Sequence, residues 1–194
     1  MMYRAKWKRG AAVFLAALTL TAGPLLPETV RADSADTPYI ALGADLTAEQ
    51  RATVLDLLGV TEADLENYTV VTVTNEEEHQ YLDSYLDASV IGTRALSSVV
   101  VEKQAEGQGI QVRTSNITYC TTGMYQNALA TAGLQDAQVR VAGPTNISGT
   151  AALVGAMKAY EAMTGEEVTP ENADAATDEL VTTSELGETL GDQD

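Results

Sequence analysis

The chain has one cysteine and one histidine in 194 residues. A single cysteine closes no internal disulfide, so stability has to come from the core, and thiol catalysis and zinc binding both lack parts. Cys120 lies among apolar residues at helical spacing in "NITYCTTGMYQNALATAG", where a free thiol serves as a small buried hydrophobe. Any serine-histidine-acid triad would have to use His79. There is no glycine-flanked serine elbow, because Ser148 is preceded by Asn146 and Ile147 and followed by Gly149 and Thr150. The glycine loop "GPTNISGT" at 143–150 has no lysine, which excludes a P-loop, and it lacks the three spaced glycines of a dinucleotide site. No EF-hand spacing occurs, so no dedicated calcium loop is predicted. Apolar runs stay short of the roughly 20 residues that span a bilayer.

Basic residues are scarce, and their placement is informative. "MMYRAKWKRG" carries Arg4, Lys6, Lys8 and Arg9, and is followed by the 13-residue apolar run "AAVFLAALTLTAG" and a small-residue exit ending at Ala32. That order reads as a secretory leader over residues 1–32, with an uncleaved membrane anchor as the alternative. Five of the 11 Lys and Arg residues but only Glu28 of the 28 acids lie there, which leaves 6 basic and 27 acidic residues, a net −21. Nucleic acid and anionic membrane surfaces repel such a chain. The charged partners it would attract are cations, basic proteins or a calcium-rich envelope. No cofactor is expected, with calcium as the alternative.

After a linker at 33–38, residues 39–165 read as one α+β domain, large enough for its own core. "YIALG" is a short extended piece. A helix follows, with Thr47 as N-cap, Gln50 as its box partner, Gly59 as the stop, and Leu46, Val54, Leu55 and Leu58 on its apolar face. "YTVVTVT" (68–74) alternates as a strand. Asn75 then caps the helix "EEEHQYLDSYLDA", whose first-turn acids suit the positive helix end. "TRALSSVVVEK" (93–103) predicts a strand, "AEGQG" a turn and "IQVRTSN" (110–116) its hairpin partner. A helix to Gly133 and a strand at 137–143 complete a β-α-β-β-α-β order. This is the split pattern of ferredoxin-like folds: an antiparallel sheet with helices on one face, flanked by the amino-terminal helix and a carboxy-terminal helix after residue 146. In that last helix Ala151, Gly155 and Ala159 form a small-residue stripe that allows close packing.

Three groups of residues are candidates for a site. The loop from Gly143 to Thr150 opens a helix, where amides favour anions, and Ser148, Gly149 and Thr150 would be the contacts. An ordinary turn, with Pro144 at the bend and Asn146 or Ser148 as cap, is the simpler reading of the same residues. Arg113 and Arg140 fall out of phase with Val112, Val139 and Val141, and with Arg94 they could present guanidinium forks to a carboxylate or phosphate. Cross-strand pairing with acids such as Glu102 is the plainer alternative. Glu76, His79, Asp83 and Asp87 are spaced three, four and four apart and so stack along one helical face, a metal-ligand set if a second face from elsewhere completes the shell, and otherwise a solvated surface. No residue is assigned a catalytic role.

Four stretches carry a resemblance: "LGADLTAEQRATVLDLLGV", "VTNEEEHQYLDSYLDASVIGTRALSSVVVEKQAEGQGIQV", "NITYCTTGMYQNALATAGLQDAQVRVAGP" and "SGTAALVGAMKAYEAMTG". Together, over about 40–190, they resemble the YpuA-like family of secreted Gram-positive proteins, domain of unknown function 1002. The resemblance implies export and an extracellular or envelope-associated domain, and brings no enzyme activity, cofactor or catalytic residue with it. Residues 166–194 hold ten acids and no Lys or Arg, predicting one helix near 170–182 and a frayed acidic end. The expected function is that of a secreted, non-catalytic binding domain for an envelope or extracellular protein or glycan partner. The competing expectation is a small envelope enzyme or anion-binding protein using Ser148, Thr150, Tyr125 or the arginines. The two differ in shape: an enzyme needs a concave pocket where polar groups meet a perturbed acid, an interaction module a flat patch.

Overall fold

The structure, a computed structural model, describes residues 37–164. The leader, most of the linker and the acidic tail with its expected helix lie outside the described residues. No helix among the described residues is long and apolar enough to cross a membrane.

Five strands form one sheet. Tyr39–Gly43 (β1) pairs in parallel with Thr69–Val73 (β2) and antiparallel with Ser98–Lys103 (β3). Ala137–Ile147 (β5) pairs antiparallel with β3 and in parallel with Ile110–Ile117 (β4). The strand order is β2-β1-β3-β5-β4.

The fold is therefore α+β, but the sheet is mixed, and the ferredoxin-like antiparallel arrangement does not describe it. Two expectations fail for physical reasons. "YIALG", read as a short extended piece and left out of the β-α-β-β-α-β order, is an interior strand of the sheet; all five of its residues are buried, so it shows no alternation to mark it. β3 and β4 are not hairpin partners, because β5 lies between them. Val139, Val141 and Ala142 of β5 are buried on both faces of the sheet, which demands an interior place, whereas β4 buries only every second residue partway and suits an edge.

The two faces are read from the alternation in β1. Ile40 and Leu42 join Val100, Ala142 and the Val54, Leu55 and Leu58 face of helix Ala48–Leu58 (α1). Tyr39 and Ala41 join Val99, Val101, Val139 and Val141 on the other side, under helices Thr122–Ala132 (α4) and Thr150–Thr164 (α5). Helices thus cover both faces. α5 lies close on the sheet through its small stripe: a Cβ at Gly155 would stand 2.6 Å from the Ala41 Cβ, and Ala151 and Ala159 are buried. Burying each large aliphatic side chain here contributes on the order of 1.5–3 kcal/mol.

The Thr47/Gln50 capping box and the Gly59 stop of α1 are present as read from the sequence. The next helix, Asn75–Leu82 (α2), is shorter than expected and begins one residue earlier. Its N-cap is Thr74, whose side chain accepts from the Glu77 N–H at 3.2 Å while Glu77 Oε2 accepts from the Thr74 N–H at 2.8 Å. The single turn Ala88–Ile91 (α3) follows after a break. Residues 93–97, predicted as strand, run irregularly into β3, and β5 continues to Ile147, so the last helix starts only at Thr150.

Candidate functional site

The β5–α5 junction, α2, the segment before β3 and the turn after β4 together enclose a cleft of about 400 Å³. Its wall brings together residues from distant parts of the chain: Glu78, Arg94, Ser97, Ser148, Gly149 and Thr150. Glu78 is there because α2 buries one stripe, and Glu78 and Leu82, four apart, share it.

Glu78 is only 1% exposed, yet both of its carboxyl oxygens are satisfied. Oε1 accepts from Thr150 Oγ1 at 2.7 Å and Oε2 from Asn75 Nδ2 at 3.1 Å. Burial favours the neutral acid while these two hydrogen bonds favour the anion; burial prevails and raises the pKa above the ordinary carboxylate value. Ser148 Oγ lies 3.2 Å from Thr150 Oγ1. With the single Thr150 proton given to Glu78, Ser148 is the donor in that pair. Ser97 Oγ accepts the Ala152 N–H at 2.8 Å, which anchors the first turn of α5 beside these hydroxyls.

The junction is held tightly from behind. Gly149 sits at φ +102°, and its carbonyl accepts from the Tyr125 hydroxyl at 2.7 Å; a Cβ at this position would stand 2.6 Å from that hydroxyl. Only glycine meets both conditions. Tyr125 and Cys120 are fully buried beneath it. Burial pushes the Cys120 thiol up to about 12 and the Tyr125 phenol well above its ordinary value, so both stay protonated at neutral pH.

The three arginines do not converge. Arg94 is exposed and contributes to the cleft wall. Arg140 lies on the α1 side of the sheet, bidentate to Glu102 at 2.7 and 3.0 Å, with its Nε donating to the Leu58 carbonyl at 2.8 Å. Arg113, exposed, is its register neighbour on β4. Of the four expected metal ligands, His79 and Asp83 are in contact, and Glu76 and Asp87 lie in other settings. α2 ends at Leu82, Asp83 is its C-cap, Asp87 precedes α3, and Glu76 lines a separate hollow of about 290 Å³ with Asp45 and Asn75. His79 is engaged at both nitrogens: Nδ1 with Asp83 Oδ1 at 2.6 Å and Nε2 with the Gly92 carbonyl at 3.1 Å. Among the described residues no three His, Cys, Asp or Glu side chains are grouped to hold a metal ion.

Ser148, Gly149, Thr150 and Arg94 were singled out from the sequence and share the cleft. Glu78, Asn75 and Ser97 were not. The spacing of Glu78 to Leu82 was the available signal, but three successive acids in a first turn read as a solvated helix end.

The family described as "Protein of unknown function (DUF1002)" matches residues 42–194. The chain belongs to this family. "Uncharacterized protein YpuA" of Bacillus subtilis (strain 168) is 44% identical over 170 residues, 87% of this chain and 57% of that protein. The chain thus spans little more than half the length of that relative. No solved structure matches. α2, the approach to β3 and the β5–α5 junction all fall inside the matched residues.

Proposed function

We propose that this DUF1002 protein is an exported, envelope-associated binding domain whose ligand enters the cleft at the β5–α5 junction. The leader-like composition of residues 1–32 and the net −21 of the remainder support export and argue against nucleic-acid or anionic-membrane partners. One observation carries the reading: polar groups from Glu78, Ser97 and Ser148, up to 70 positions apart, meet in a single concavity around a buried, perturbed carboxyl. This is the concave shape expected of the small-ligand or enzyme alternative, and it speaks against a flat interaction face. The hydroxyls of Ser97, Ser148 and Thr150 beside Glu78 suit a ligand bearing hydroxyl, amide or ester groups, such as an envelope glycan fragment. Arg94, on the cleft wall, would take any carboxylate such a ligand carries.

The test is the unfolding midpoint of the protein against muropeptides, wall polysaccharide fragments, phosphate and calcium. A ligand held only by the folded state adds roughly 2.7 kcal/mol at a hundred times its dissociation constant. The proposal expects a midpoint raised by a glycan or peptidoglycan fragment, and a smaller shift in Arg94→Ala. No shift with any fragment at millimolar concentration would overturn it and redirect the work to protein partners.

A further inference from the structure

The cleft contains an ordered chain of hydroxyl and carboxyl groups. Ser148 Oγ donates to Thr150 Oγ1 across 3.2 Å, Thr150 Oγ1 donates to Glu78 Oε1 across 2.7 Å, and Asn75 Nδ2 holds the other Glu78 oxygen at 3.1 Å. We propose that this chain is an acyl-transfer centre in which Ser148 is the nucleophile and Glu78 the proton acceptor, with Thr150 relaying between them, and that its substrate is a carboxylic ester on a hydroxyl-bearing ligand. The proposal rests on the binding reading for its location.

The arrangement has the logic of an activated nucleophile: a hydroxyl within reach of a base, the base oriented by a third group. Thr150 takes the place usually held by an imidazole. It relays without accumulating charge, because it gives its own proton to Glu78 as it receives that of Ser148. The 3.2 Å first link is at the long end of the range in which such contacts lie before substrate is bound. The three groups are placed by different constraints. Ser148 and Thr150 straddle Gly149, pinned by Tyr125, and Glu78 is fixed by the buried stripe of α2. The helix that starts at Thr150 runs for 15 residues; its Ala152 N–H is held by Ser97 Oγ and its Leu153 N–H by the Gly149 carbonyl, and its positive end lies beside the nucleophile.

The chemistry balances with water as the only co-reactant. Ser148 Oγ forms a bond to the ester carbonyl carbon as its proton moves to Thr150 and the Thr150 proton moves to Glu78. The carbonyl-to-alkoxy C–O bond then breaks, and the departing oxygen takes the Thr150 proton while Glu78 returns one to Thr150, leaving acyl-Ser148 and the free alcohol. Water then takes the place of Ser148: its oxygen bonds to the acyl carbon as its proton moves to Thr150 and the Thr150 proton to Glu78. The bond between the acyl carbon and Ser148 Oγ breaks, and Ser148 Oγ takes a proton back from Thr150 as Glu78 returns one to Thr150. Carboxylic acid and free Ser148 result.

The experiment exposes the purified full chain to a fluorophosphonate probe, and separately to p-nitrophenyl acetate, with intact-mass and peptide mapping. The expected result is one adduct on the peptide containing Ser148, absent in Ser148→Ala, whose circular dichroism and melting transition match the parent. Glu78→Gln keeps the shape and one accepting oxygen, puts an NH2 donor in place of the other, and cannot accept the proton; it should slow labelling by about a hundredfold. Thr150→Val should do the same and Thr150→Ser should restore it, a rescue that a merely structural Thr150 would not show. A folded parent with no adduct at Ser148, or labelling unchanged in Glu78→Gln, overturns the acyl-transfer centre. If the glycan-induced midpoint shift persists in that case, the binding reading survives; if it is also absent, both fall.

Discussion

His79 has an acceptor at each ring nitrogen, the Asp83 carboxylate and the Gly92 carbonyl. A neutral imidazole donates only once, so only the imidazolium satisfies both. Consistent with this, the hydrogen bond to Asp83 raises its pKa above the ordinary value, against a small desolvation in the opposite sense. A raised folded pKa means that the contribution to stability is complete below about pH 6.5 and is lost as pH rises through the folded value. The chain has a single histidine, so its ring proton signals identify it without assignment. The expected outcome is a titration above that of an unfolded peptide, and a urea midpoint that declines above pH 6.5 in the parent but less in His79→Asn. Equal pH profiles in the two proteins would show that the double contact is not formed in solution. Gly92 lines the cleft, so this latch also sets the position of one cleft wall.

Helix starts were legible where the signal was purely local. Thr47 with Gln50 was read correctly because a hydroxyl three residues before an amide side chain defines the cap by itself. α2 carried two candidate caps in succession, each with a glutamate three residues on, and Thr74 prevails over Asn75 because Glu77 reaches back to the Thr74 N–H while Glu78 is turned inward onto Thr150. Thr74→Ala should therefore cost about 1 kcal/mol in denaturant unfolding. A change near zero would return the cap to Asn75. Glu78 escaped notice for a related reason: a charged residue on a buried stripe looks like a surface residue until its partner Thr150, 72 positions away, is in place. Strand order was not legible at all. A turn as glycine-rich as the one between β3 and β4 suggests a hairpin, and nothing local reveals that β5 takes the intervening position.

For the molecule as a whole, charge dominates. The full chain carries −17 and, without residues 1–32, −21, so like charges are crowded when it is compact. Sodium chloride raised from about 10 to 200 mM shortens the Debye length from roughly 30 Å to below 10 Å. The melting midpoint should rise over that range, whereas a protein held chiefly by ion pairs would lose stability. A fall would show that pairs such as Arg140–Glu102 and Lys158–Glu77 outweigh the general repulsion.

The interposed β5 also sets an order of events. β3 cannot zip to β4 through the short turn that joins them; both wait for a strand synthesised later, and the Tyr39 end of the sheet waits for α5 to cover it. Sequence-distant pairing of this kind belongs to chains that fold in milliseconds to seconds rather than microseconds. The cleft inherits the same timetable, because Glu78 and Ser148 meet only when the last helix docks. A nascent chain cut short before residue 150 therefore has neither a closed core nor a site.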